Sequence, residues 1–213
     1  MATSTGRHDG GAAATTPTAA VPPRDGPRRA DARRSIAAIL DAALAALGRG
    51  PEINMAEIAR AAGVGRVTLY GHFPSREALV DAVVAHAIAR AAEALDQVDI
   101  DTGPAPAALS RLATTSWRIL DQHRQLMAAG QRHLGAARMR EHHDRVMDRV
   151  RKLIGRGQAD GDIRTDLPTD WLITAFYALL HAAAEDVNAG RLDPARTGDV
   201  LAATITAALR PPA

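Results

Sequence analysis

At 213 residues the chain is long enough for one or two domains and a sizeable core. It has no cysteine, which excludes disulfides, thiolate metal sites and thiol nucleophiles. Aromatic residues are only 3% and the formal net charge is +2. The core must therefore be built from alanine and branched aliphatics, and any nucleic-acid contact must come from locally concentrated basic residues.

Residues 1–27 are rich in Ala, Thr, Gly and Pro without apolar periodicity, and read as a disordered arm. The arm runs into Arg24, Arg28, Arg29, Arg33 and Arg34. Such a basic end suits DNA phosphates or the minor groove, and suits a solubilising tail as well. A first helix is expected from about Ala32 to Leu47, capped by Asp31 and ended by Gly48 and Pro51. Its inner face holds Ile36, Ile39, Leu40, Ala43, Leu44 and Leu47 at helical spacing.

Met55 to Phe73 then reads as two short helices around a glycine turn. Asn54 is a good N-cap with Glu57 three residues on, approximating a capping box. Ile58 and Ala59 face inward, and Gly63 stands where a left-handed C-terminal residue is wanted. Val64 plugs the turn, the chain re-enters a helix at Gly65 or Arg66, and Leu69 is its inward contact. Two helices joined this way form a helix-turn-helix, although a plain helical hairpin in a core gives the same pattern. Arg66, Thr68, Tyr70 and His72 follow within seven residues, and the polar tips of Tyr70 and His72 suit phosphate oxygens.

A fourth helix begins after Ser75 and runs to about Asp96, with Leu79, Val83, Ala87 and Ala91 inward. The free amides at its start favour an anion near Ser75 or Arg76. Asp99 to Pro106 reads as a linker. Helices are expected over about 107–129 and 136–158, with Gly130 and Gly135 bracketing a broken segment and Gly157 to Pro168 forming a turn. Two more are expected over 169–189 and 194–209, the last opening on the cap Asp193 and Pro194. This final pair is apolar or small over most of its surface and must be covered on more than one side. The run Trp171 to Ala184 is fourteen residues, interrupted by His181, short of the roughly 20 needed to span a bilayer. With no secretory signal visible, a cytoplasmic protein without a membrane partner is expected.

Competing chemistry is weakly supported. Glu141-His142-His143-Asp144 suggests a metal, but neighbouring helical residues diverge by about 100° and no His-Glu-x-x-His spacing occurs. Gly63-x-Gly65 lacks the third glycine and preceding strand of a dinucleotide loop. No catalytic constellation or cofactor motif is found, so a non-enzyme is expected.

The stretch AEIARAAGVGRVTLYGHFPSREALV resembles the DNA-binding signature of TetR-type transcriptional regulators, in register without gaps. The resemblance implies an all-α homodimer. An N-terminal three-helix helix-turn-helix domain, residues 28–74, would precede a C-terminal helical domain, residues 75–213, for effector binding and dimerisation. It implies a ligand-responsive regulator, most simply a repressor, on a palindromic double-stranded operator; a helical small-molecule binder without DNA binding is the alternative. By position, Arg66, Val67 and Thr68 face base edges or nearby phosphates, Tyr70 and His72 hold backbone phosphates, and Phe73 packs beneath. Ser75, Arg76, Arg33 and Asn54 complete the candidate DNA-binding set. The chain departs from the family at Gly65, where Ser is frequent, at Val67, where Gly or Ala is usual, and at Arg76 in place of Lys. Gly71 also lowers helix stability by about 1 kcal/mol relative to Ala. The last two helices and their symmetry mates would make a four-helix dimer interface.

An effector, of unknown identity, would sit between helices of the C-terminal part. Trp117, His123, Met127, His143, Met147, Phe176, Tyr177 and His181 are the candidate lining, since methionine and aromatic side chains suit an adaptable apolar site. For each one alone, ordinary core packing is the better reading.

Overall fold

The computed structural model describes residues 26–50 and 52–212, and these form nine α-helices with no strand, the all-α class expected. Three come first: α1 (Gly26–Arg49), α2 (Met55–Ala61) and α3 (Arg66–His72). Ile39, Ala43 and Leu47, four residues apart, form the fully buried seam of α1. α2 contributes Met55, Ile58 and Ala59 to the same core; α3 contributes only Leu69. α4 (Arg76–Leu95) follows and buries Leu79, Val80, Val83, Val84, Ala87 and Ile88 along its length.

Beyond it lie α5 (Ala105–Gln122), α6 (Arg124–His142), α7 (Asp144–Ala159), α8 (Thr169–Asn188) and α9 (Pro194–Leu209). α5 lies along α9, α4 along α6, and α7 along α8, while α1 rests on both α4 and α6. The apolar seams of all nine merge into one cluster. Among the described residues no helix is long and apolar enough to cross a membrane.

Several boundaries differ from those expected. α1 starts at Gly26 rather than near Ala32, so Asp31 is no cap: it lies inside the helix and pairs with Arg34. Arg33 and Arg34 are therefore helical. The rest of the expected arm, with Arg24, lies outside the described residues. The helix expected over 107–129 ends at Gln122, and His123 (φ −117°) and His143 (φ −90°) are the joints on either side of α6. Gly135 (φ +76°, ψ 168°) is the one break inside α6. Gly130 instead lies within the helix, where a Cβ would come within 2.6 Å of Met139 Sδ and 3.1 Å of Val84 Cγ2; it is there for close approach of α4.

Gly157, expected in a turn, is likewise helical and buried in α7. A Cβ there would stand 2.6 Å from Ile163 Cδ1 and 2.7 Å from Ala105 Cβ. Ile163 can rotate, but Ala105 Cβ is fixed to its backbone. Gly155, two residues earlier, has open space around it. The pair gives opposite expectations for one substitution type. Gly155→Ala should stabilise by about 0.5–1 kcal/mol through helix propensity alone. Gly157→Ala should destabilise, because an overpacking cost of about 1–3 kcal/mol exceeds that gain. Urea midpoints of the two variants check this; equal signs would mean that the α5–α7 contact is looser than described.

Candidate nucleic-acid interface and cavity

The α2–α3 corner is set by local chemistry. Asn54 Oδ1 accepts from the amides of Ala56 (3.0 Å) and Glu57 (3.3 Å), capping α2. At the other end Gly63 takes φ +67°. Gly63 N–H then donates to the Arg60 carbonyl (3.2 Å) and Val64 N–H to the Ala59 carbonyl (3.0 Å), the paired bonds of a Schellman motif. Gly65 caps α3 without a side-chain bond.

α3 is anchored by Leu69, which is 0% exposed. On a 3.6-residue helix Val67 and Gly71 lie opposite that anchor, and Val67 is 88% exposed. Arg66, Thr68 and Tyr70 are exposed on the flanks, His72 is half-buried, and Phe73 is buried with its ring 6.4 Å from that of His72. Ser75 Oγ accepts from Ala78 N–H (3.1 Å) and caps α4, and Arg76 is exposed beside it. Glu77 sets a competing negative charge here: its own backbone amide, then the Ser75 hydroxyl, hold its carboxyl below the usual range. Arg33 is exposed on α1. Asn54 is exposed as well, but its oxygen is occupied by the cap, leaving only its amide nitrogen for another partner.

Some 70 Å³ of cavity opens between α4, α5, α6, α7 and α8. His123, Met127, His143, Met147, Phe176, Tyr177 and His181 all line it, together with Ala87, Ile88 and Leu95 of α4 and Ser116 of α5. Trp117 does not. Its ring is buried against α9, where its indole Nε1 donates to the Pro194 carbonyl (3.2 Å) and its edge faces Gly198. Trp117 was a lining candidate by residue type; one residue along the helix turns a side chain by about 100°, and Ser116 faces the cavity instead. Ser116 carries no sequence signal for this role; its signal is structural, a buried hydroxyl without a partner, shared by Tyr177 Oη.

The adjacent histidines go separate ways. His142 Nε2 lies 2.7 Å from Asp81 Oδ1 on α4, and His143 Nδ1 lies 2.7 Å from the Met139 carbonyl. Arg138 adds two bonds to Asp81, at 2.8 and 2.9 Å. The Arg138 guanidinium, then the His142 imidazole, hold the Asp81 carboxyl down to about 2. This cluster ties α6 to α4, the helix that also borders both α3 and the cavity.

Residues 39–83 match the family model described as bacterial regulatory proteins, tetR family. Over 161 residues the chain is 28% identical to the HTH-type transcriptional repressor LfrR of Mycolicibacterium smegmatis, covering 74% of this chain and 81% of that protein. The crystal structure of the TetR-like regulator LfrR from Mycobacterium smegmatis, in complex with proflavine, superposes with a TM-score of 0.63. The identity is 25%, over 83% of this chain and 97% of that one. The transcriptional regulator FadR of Bacillus subtilis, in complex with stearoyl-CoA, has a TM-score of 0.68 at 16% identity, over 82% and 99% of the two chains, a likeness of fold.

Proposed function

We propose that this chain is a member of the tetR family of bacterial regulatory proteins, and that it is a ligand-responsive transcriptional repressor that grips a palindromic operator as a homodimer. The observation that carries the reading is the exposure of α3. Arg66, Val67, Thr68 and Tyr70 are held outward by one buried leucine, on a helix whose entry is fixed by the Gly63 turn. In this reading α3 enters the major groove. Arg66 and Thr68 contact base edges or adjacent phosphates, and Val67 contributes apolar contact suited to a thymine methyl. Tyr70, His72 and the start of α4 at Ser75 and Arg76 clamp phosphates, which fix register without reading sequence. Arg33 approaches the backbone from α1. Asn54 acts through its cap on α2.

The dimer part of the reading is supported by the outer faces of α8 and α9. Trp171 is 58% exposed and Val200 43% exposed, alongside the exposed small residues Ala178, Ala182, Ala203 and Ala207. Large apolar side chains left exposed among small residues on two helices suit an interaction site. A twofold pair across this face would present two α3 helices to successive turns of the groove, about 34–36 Å apart or a multiple of that. α4 is the link to the effector. Ser75 and Arg76 stand at one end of it, and Ala87, Ile88 and Leu95 line the cavity toward the other. A ligand that shifts α4 changes operator affinity, and the operator changes ligand affinity by the same factor. The reading includes no catalytic step, and its site of action is the cytoplasm.

Selection from a pool of genomic fragments tests the proposal. One inverted repeat should be enriched, with capture falling steeply as salt rises. Arg66→Ala should cost about 1–3 kcal/mol and relax preference at one position, whereas Tyr70→Phe should weaken all sequences alike. The reverse pattern would exchange the two roles. No enrichment at any salt would leave a small-molecule binder without DNA binding.

A further inference from the structure

The cavity is unusual in what it lacks. Among the described residues lining it there is no Asp, Glu, Lys or Arg. The charged groups around it are mostly positive. The Arg140 guanidinium lies 5.2 Å over the Tyr177 ring, Arg90 acts on His123, and His142 and Arg140 act on His143 against a weaker opposing Asp144.

The three histidines are all shifted toward their uncharged form. Burial lowers all of them, and His181, with the nearby His143 as a second cause, falls to about 4. Since the Met139 carbonyl can only accept, neutral His143 carries its proton on Nδ1 and keeps a lone pair on Nε2. His143, Tyr177 and His181 pack as one aromatic group, with centroids 4.2–5.3 Å apart. Two hydroxyls, Ser116 Oγ and Tyr177 Oη, are buried on this lining with no hydrogen-bond partner. Buried polar groups are ordinarily paired, so both are poised for a partner that enters the cavity.

We propose that the cavity takes an uncharged, largely apolar molecule carrying a hydroxyl or carbonyl oxygen, with Ser116 Oγ and Tyr177 Oη as its polar partners. This deepens the effector part of the reading above and rests on it for the regulatory consequence alone. A cation finds no carboxylate here, and one face of Tyr177 is already covered by Arg140. The volume is small, so even a two-ring ligand fills it only as the lining gives way. Met127 and Met147, with three rotatable bonds each, are the side chains that give way as it fills.

Four naphthalene probes of matched shape test this on the full chain in the absence of DNA: 2-naphthylmethanol, 2-naphthylmethylammonium, naphthalene-2-carboxylate and 2-methylnaphthalene. By fluorescence titration at neutral pH the alcohol should bind tightest, by about tenfold or more over each of the others. Combining Ser116→Ala with Tyr177→Phe should bring the alcohol to the level of 2-methylnaphthalene and leave that hydrocarbon unchanged. The variant's thermal midpoint should not fall, because only unpartnered hydroxyls are removed. Equal or tighter binding of the ammonium or carboxylate would overturn the proposal. So would an unaltered alcohol affinity in the double variant, or failure of all four probes to bind up to their solubility. None of these outcomes bears on operator binding, which fails or succeeds in the fragment selection.

Discussion

Leu69→Ala should abolish operator binding without altering any group that touches DNA. Leu69 is the only buried residue of α3 and is wholly inaccessible. Truncating such a side chain costs about 2–5 kcal/mol, and the cavity it leaves lies directly under the reading helix. α3 has seven residues, far below the roughly 12–15 at which an isolated helix holds its shape in water. Its docking therefore depends on this anchor, with Phe73 and Val64 at its two ends. Apparent affinity scales with the docked fraction, and a dimer needs both copies docked, so the losses multiply. A fall of about 100-fold or more is expected, with a clear drop in urea midpoint. Val67→Ala is the control. At 88% exposure it should move stability by no more than about 0.5 kcal/mol while changing preference at one base pair. Wild-type affinity in Leu69→Ala would mean that α3 is held by contacts other than those described.

The parts of this molecule legible in its sequence are those fixed by neighbours in the chain. The Asn54 cap, the positive φ at Gly63, the uncapped start at Gly65, the Ser75 cap and the Asp193 cap each depend on a few consecutive residues, and each appears where expected. The start of α1 was obscured because apolar periodicity begins only at Ile36, while the preceding arginines extend the helix without marking it. The joints at His123 and His143 carry no Gly or Pro. Each follows a helix end whose cause is tertiary, the approach of α6 to α4 through Gly130, Met139 and the Asp81 cluster. Glycine misled for the same reason at Gly130 and Gly157, where it serves close packing rather than a turn.

The cavity was legible by residue type and not by geometry. Methionines and aromatics of α6, α7 and α8 meet there with the joint histidines, but which face of α5 they meet had to come from the fold. Trp117 and Ser116 differ by one position, and only their partners, Pro194 for the indole and none for the hydroxyl, separate a structural residue from a cavity one. The exposure of α3 was legible for the opposite reason. α3 is short, it is exposed, and its register follows from Leu69 alone.

Val200→Asp should convert the protein to a monomer and, through that alone, weaken operator binding. Val200 lies on the outer face of α9, 43% exposed in the single chain, with Ala203 and Ala207 beside it. Among the described residues nothing covers Val200 further, so a carboxylate there is hydrated in the monomer and its fold should be unaffected. Across a twofold interface the same carboxylate loses its water and meets its own copy. Burying a polar group without a partner costs about 1–3 kcal/mol by mutational measure, and the symmetry counts it twice. Dimer dissociation should therefore rise by about 10²–10⁴-fold. Sedimentation at micromolar protein reads the first effect. DNA titration reads the second, because losing the linked half-site forfeits an avidity gain of about 10²–10⁴ without changing any contact of α3. Probe binding in the cavity should persist, since none of its lining lies on that face. A Val200→Asp protein that sediments as a dimer would place the interface elsewhere, and with it the spacing of the two half-sites.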